Sequence, residues 1–127
     1  MPTAPTADGK LARTGVTRRL FGRRVIVRDE SMRPTLEPGD RLLVDTRSLR
    51  ERAPRVGEIV VLKDPEAPDR WLIKRVASVD AKRGAIEVHG DDADRSRDSR
   101  QFGPVPAASI VGVVYRRYAP VSRRQDL

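Results

Sequence analysis

A small, mainly β domain of antiparallel strands, arranged as a partly open barrel or sandwich, is the fold this sequence predicts. Short runs rich in Val, Ile and Leu recur along the chain, and residues with turn chemistry separate them. The core they supply is aliphatic, since hydrophobic residues make up 38% of the chain and aromatic ones only 4%. At 127 residues the chain fits one domain that can bury a core without staples.

The β-branched runs cover residues 24–28, 41–45, 58–62, 70–78, 85–89 and 110–115, and each is read as a strand. Pro38-Gly39-Asp40, Arg55-Val56-Gly57, Lys63-Asp64-Pro65 and Lys82-Arg83-Gly84 supply the turns between them. Residues 47–52 predict one short helical turn. Residues 1–19 combine Pro, Thr, Ala and Gly without apolar periodicity and are read as a disordered leader. The domain then covers 20–120, with a C-terminal tail at 121–127.

Composition excludes several function classes. There is no cysteine, hence no disulfide, thiolate metal site or cysteine nucleophile. The single histidine, His89, makes a Ser/His/Asp triad or a histidine-rich metal site hard to build, so hydrolytic chemistry would need another base. Neither a metal nor a cofactor is expected. The net charge of +8 suggests an acidic partner, but the arginines are scattered among acids with no interleaved aromatics, so no stable nucleic-acid complex is expected. The longest uncharged stretch, 101–115, contains Pro104, Pro106 and Gly112 and falls short of the roughly 20 apolar residues of a membrane helix. The expectation is a soluble, cytoplasmic protein without a transmembrane segment.

Three segments carry chemistry. They are Ser31-Met32-Arg33-Pro34-Thr35-Leu36 with Gly39-Asp40 behind it, then Lys74-Arg75-Val76, then Gly90-Asp91 through Ser96, Asp98, Ser99 and Arg100 to Gly103-Pro104-Val105. A serine hydroxyl is a weak nucleophile until a neighbouring base takes its proton, and Ser/Lys is one form of that pairing. Lysine serves as a base only where burial makes its neutral amine accessible. On a strand through 70–78, alternation puts Leu72, Lys74 and Val76 on one face and Arg75 on the other, where it can stay solvated. Ser31 follows an extended run and precedes Pro34, where the backbone is forced to turn and exposes the hydroxyl. An extended peptide could pair alongside residues 25–30.

In this order the three segments resemble the conserved boxes of the signal peptidase I family of Ser/Lys-dyad proteases, over residues 25–120. The resemblance implies the strand-rich fold shared with repressor-cleavage domains, Ser31 as nucleophile and Lys74 as general base. It implies that Ser96 orients the lysine, with Gly90, Asp91, Asp98 and Arg100 as structural support, and that Met32 packs beneath the site. Asp92, Asp94, Arg95 and Arg97 are read as a solvated charged loop, and Asp92 stands where the family usually has Asn. The oxyanion region comprises the Ser31 backbone N–H and Asp29, and Asp29 departs from the family, which usually has Gly or Ser there. A carboxylate facing the tetrahedral oxyanion would repel it, so either Asp29 turns outward toward Arg28 or Arg33, or it is protonated, or the enzyme is slow.

The implied substrate is a protein with an N-terminal signal or pro-peptide, cut after small residues. Compact members that mature nickel-containing superoxide dismutase are the first expectation, and a membrane-associated type I signal peptidase without its anchor is the second. A non-catalytic basic β-barrel that binds nucleic acid is the third, and it leaves the Ser/Lys pair unexplained. A self-cleaving repressor is disfavoured because the leader is too short for a DNA-binding domain.

Overall fold

The computed structural model describes residues 22–127. The leader expected at 1–19 and the start of the domain at Leu20 lie outside the described residues. The strands are β1 (Gly22–Ile26), β2 (Arg41–Asp45), β3 (Ile59–Asp64), β4 (Ala67–Asp80), β5 (Ala85–His89), β6 (Val105–Pro106), β7 (Ile110–Ala119) and β8 (Gln125–Asp126). They make one sheet in the order β1-β2-β7-β3-β4-β5-β6, with β8 added to β7. Every pairing is antiparallel. The sheet is not closed into a barrel.

β2 and β5 fall on the expected residues. β1 ends earlier than expected because Val27 has already left the ladder. Its N–H donates to Asp40 O at 2.9 Å and its carbonyl accepts from Gly39 N–H at 2.8 Å, which closes the base of the loop at 27–40. Gly39 makes that closure with φ +93°, a conformation costly for any residue with a Cβ. β7 continues to Ala119, past Arg116 and Arg117, because Arg117 is buried and ion-paired rather than solvated. Residues 47–52 contain the expected turn as a 3-10 segment at Ser48–Arg50, whose N–H groups at Arg47 and Ser48 donate to Asp45 Oδ1 at 2.8 and 3.0 Å. Residues 121–127, expected as a tail, form another 3-10 turn at Val121–Arg123 and the short β8.

β3 explains the core. Its first four residues are all buried, so alternation sends Ile59 and Val61 to one face and Val60 and Leu62 to the other. On the first face they meet Leu42, Val44, Val114, Val27, Met32 and Leu36. On the second they meet Val76, Ile86, Val88, Val105 and Val113. Burying a side chain of this size stabilises by about 1.5–3 kcal/mol. Met32 and Leu36, 1% and 0% exposed, therefore pin the loop at 27–40 to the sheet and fix where Ser31 stands.

Candidate active site

β4 carries Lys74 opposite Val60 of β3, with Leu72 opposite Leu62. Lys74 is 3% exposed, and burial lowers the pKa of its amine below the ordinary value. Asp29 and Asp98 pull the other way, while Arg97 and Arg100 add to the lowering. Arg75 lies on the opposite face as the alternation requires, but it is not left to solvent. Its guanidinium grips Asp91 through Nε at 2.9 Å and Nη2 at 2.7 Å and also donates to Gly57 O at 2.8 Å.

The Lys74 amine donates to Ser96 Oγ at 3.0 Å, and Ser96 donates onward to Asp98 Oδ2 at 2.5 Å. Asp98 has no exposed surface and accepts from Gly90 N–H at 2.8 Å, from Arg100 N–H at 3.0 Å and from the Arg100 guanidinium at 2.7 Å. Burial opposes ionisation of Asp98, but these donors outweigh it and hold the carboxyl well below the usual range. Asp98 also caps helix α1 (Ser99–Phe102), whose Gln101 side chain accepts from Asp98 N–H at 2.9 Å. Ser99 Oγ then accepts from Val88 N–H at 2.9 Å, which ties α1 to β5.

Gly90 brings Ser31 to this group. An added Cβ there would lie 2.2 Å from Ser96 Oγ and 2.7 Å from Ser31 O, so only glycine lets the two serines converge. The neighbouring Asp92 N–H donates to Ser31 O at 2.9 Å. Ser31 itself is 3% exposed. Among the described residues its hydroxyl is bonded not to Lys74 but to Asp29 Oδ1, at 3.0 Å, and the same oxygen accepts from Ser31 N–H at 3.1 Å. Asp29 thus does not turn outward. Arg33 is taken by Glu30 at 3.0 Å and Glu37 at 2.6 Å.

The loop at 27–40 is braced at two further points. Thr35 Oγ1 donates to Asp91 Oδ2 at 2.7 Å, which joins the loop to Arg75 through one carboxylate. Asp40 accepts from Glu37 N–H at 2.9 Å and from Arg123 at 3.1 and 3.0 Å, with Arg117 Nη1 at 3.5 Å. Arg117 also donates to Thr35 O at 2.8 Å. Thr35 and Asp40 stand in the first of the three segments singled out in the sequence, but no role for them, nor for Arg117 and Arg123, is legible there.

The charged loop differs from the solvated loop expected. Arg97 pairs with the fully buried Asp64 and with Glu66 at 2.6 Å, and its guanidinium carbon lies 5.3 Å from the Phe102 ring centroid. Arg95 bridges Glu30 at 3.0 Å and Asp92 at 3.3 Å, linking the loop to the segment before Ser31. Asp94 is exposed. His89 is half-buried at the end of β5 and lies 3.8 Å from Glu87. No cluster of His, Cys, Asp or Glu suited to a metal occurs among the described residues.

An antiparallel sheet that buries a lysine amine against one serine, beside a second serine on a tight turn, defines a candidate Ser/Lys hydrolase site. The family model described as signal peptidase, peptidase S26, matches residues 11–83 and 78–119. The chain belongs to this family. It is 39% identical over 111 residues to mitochondrial ATP-independent inner membrane protease subunit 1b of Arabidopsis thaliana, covering 71% of this chain and 66% of that one. It is 32% identical over 119 residues to mitochondrial inner membrane protease subunit 1 of Xenopus tropicalis, covering 80% and 71%. To the probable thylakoidal processing peptidase 2, chloroplastic, of Arabidopsis thaliana it is 28% identical over a 167-residue alignment, covering 94% and 46%. The chain spans only part of the length of each. Their names place relatives at the mitochondrial inner membrane and in the chloroplast, and a cytoplasmic location finds no support in them. No described helix is long and apolar enough to cross a membrane.

Proposed function

We propose that the chain is a serine endopeptidase that removes an N-terminal signal or pro-peptide from a protein substrate, with Ser31 as nucleophile and Lys74 as general base. The observation that carries this reading is the buried Lys74 amine, whose pKa burial lowers and whose hydrogen bond goes to the Asp98-anchored Ser96. A lysine in such a place costs stability, and groups perturbed in this way cluster at functional sites, where the accessible neutral amine is what the chemistry needs.

In the reaction the Ser31 Oγ–H proton passes to the neutral Nζ of Lys74 as Oγ bonds to the scissile carbonyl carbon. The carbonyl electron pair moves to oxygen, and Ser31 N–H, once it leaves Asp29 Oδ1, is the donor for that oxyanion. Collapse breaks the C–N bond, and the Lys74 ammonium protonates the leaving amine. A water molecule deprotonated by Lys74 then hydrolyses the acyl-serine. Ser96 orients the amine, Asp98 with Arg100 fixes Ser96, and Gly90 and Asp91 hold the turn against Ser31.

Relatives named as inner membrane protease subunits and processing peptidases favour a precursor bound for a membrane as the substrate. The precursor of a nickel-containing superoxide dismutase is the competing substrate. The test offers both kinds of precursor, each with Ala-like residues before the cut, to the wild type, Ser31→Ala and Lys74→Ala. Cleavage by the wild type alone, insensitive to thiol reagents and chelators, is the expected result. Substantial cleavage by either variant overturns the dyad, and loss of activity with a chelator indicates a metal mechanism instead.

A further inference from the structure

The geometry points to Asp29 as a latch on the nucleophile: its carboxylate holds both the hydroxyl and the backbone N–H of Ser31, and an arriving substrate carbonyl must displace it. The inference rests on the reading of Ser31 as nucleophile and adds a positioning residue to it.

One oxygen makes both bonds. Asp29 Oδ1 lies 3.1 Å from Ser31 N and 3.0 Å from Ser31 Oγ. An oxyanion formed by attack of Oγ would need the same N–H, and two negative oxygens cannot share one donor at hydrogen-bond distance without strong repulsion. The hydroxyl proton is likewise directed to Asp29, while the amine meant to take it is directed to Ser96. Ser31 is therefore held out of line with its base.

Asp29 is exposed as a residue, so its side chain has open space into which to rotate, whereas Ser31 and Lys74 are fixed by burial. Its two basic sequence neighbours do not hold it elsewhere: Arg33 is committed to Glu30 and Glu37, and Arg28 makes no bond that draws the carboxylate from Ser31. A substrate segment paired along residues 25–30 passes over Asp29 before its carbonyl reaches Ser31. The substrate thus opens the latch as it binds.

The test uses N-acetyl-alanine p-nitrophenyl ester on the full chain. Ser31 Oγ bonds to the acyl carbon, the C–O bond to nitrophenol breaks, and the serine proton passes through Lys74 to solvent. Nitrophenolate release gives the acylation rate, and peptide mass spectrometry locates the acetyl-alanyl group. Asp29→Gly is expected to raise the acylation rate constant about tenfold or more, since one oxyanion donor is worth about 10²- to 10³-fold in rate. Asp29→Asn is expected to fall between it and the wild type, because the amide oxygen still accepts from Ser31 N–H without the charge. A merely structural role for Asp29 gives no acceleration. An unchanged or slower acylation at Ser31 in Asp29→Gly overturns the latch and leaves the peptidase reading standing. Absence of acyl-Ser31 from the wild type and both variants overturns the peptidase reading and the latch together.

Discussion

Gly90 and Ser96 stand too close for a single methyl group to fit between them: a Cβ on Gly90 would lie 2.2 Å from Ser96 Oγ. The same methyl would press on the Ser31 carbonyl oxygen at 2.7 Å, so any relief moves one serine or the other. Displacing a reacting group by about 1 Å can cost roughly 10²-fold in rate. Gly90→Ala is expected to lower kcat by about that factor with KM little changed. Steady-state kinetics on a cleavable precursor peptide decide it, and a variant with wild-type kcat would show that Gly90 does not set the serine spacing.

The parts of this site legible in the sequence are those whose partners are named by local pattern. Lys74 reads as buried because Leu72 and Val76 flank it at period two, and the turn at Ser31 reads from Pro34. The exposed hydroxyl expected there is wrong: Ser31 is 3% exposed, covered where the turn packs against Gly90 and Asp29 closes over the hydroxyl. Asp40 and Arg117 do not read this way. They lie 77 residues apart, and Arg116-Arg117 in sequence looks like the charged end of a strand, so the reading stops β7 at 115. Thr35 and Asp91, 56 apart, are equally silent. Asp29 was legible as a departure but not in direction, since only the fold shows that its carboxylate curls back onto Ser31 two residues later.

Ser96 joins the Lys74 amine to Asp98, giving the amine an acceptor and the carboxylate a donor. Ser96→Ala leaves the amine without its orienting partner, and about a tenfold or greater fall in kcat with little change in KM is expected. Ser96→Thr, which keeps the hydroxyl, should recover much of the loss. Equal impairment of the two variants would mean that shape rather than the hydroxyl matters at this position.

Asp40 anchors the loop that presents Ser31. It is 2% exposed and meets Arg117, itself 4% exposed, so its removal leaves a buried guanidinium without its acid. Breaking a buried pair in this way costs about 3–5 kcal/mol. Asp40→Ala is therefore expected to unfold at markedly lower urea concentration than the wild type. Burial opposes ionisation of Asp40, but bonds from Arg123 and Glu37 N–H prevail and lower its pKa below the ordinary 3.8. The native state thus releases the proton more readily than the unfolded one, so this stability is fully present above pH 3.8 and is lost as pH falls through the native value. A difference in urea midpoint between wild type and Asp40→Ala that does not shrink on acidification would refute the assignment.

Lys74 gives a slope of the same sign at higher pH, there through the relief of a penalty rather than the gain of a bond. Burial lowers its pKa from 10.5, with Asp29 and Asp98 only partly offsetting the effect, so the native state binds its proton less tightly than the unfolded chain. Between the native value and 10.5 the unfolded state carries more protons, and stability rises with pH by up to about 1.4 kcal/mol per unit. Below the native value the buried ammonium is a full penalty. Lys74→Met keeps the volume and removes the charge, so it is expected to be inactive yet more stable than the wild type near neutrality, with the advantage fading as pH approaches 10.5. Wild-type kcat should rise with pH through the native value, because only the neutral amine can take the Ser31 proton. Urea midpoints and single-turnover cleavage across pH test both halves together: a stability difference that stays constant with pH, or cleavage by Lys74→Met, would mean that this amine does not titrate as the base the reaction requires.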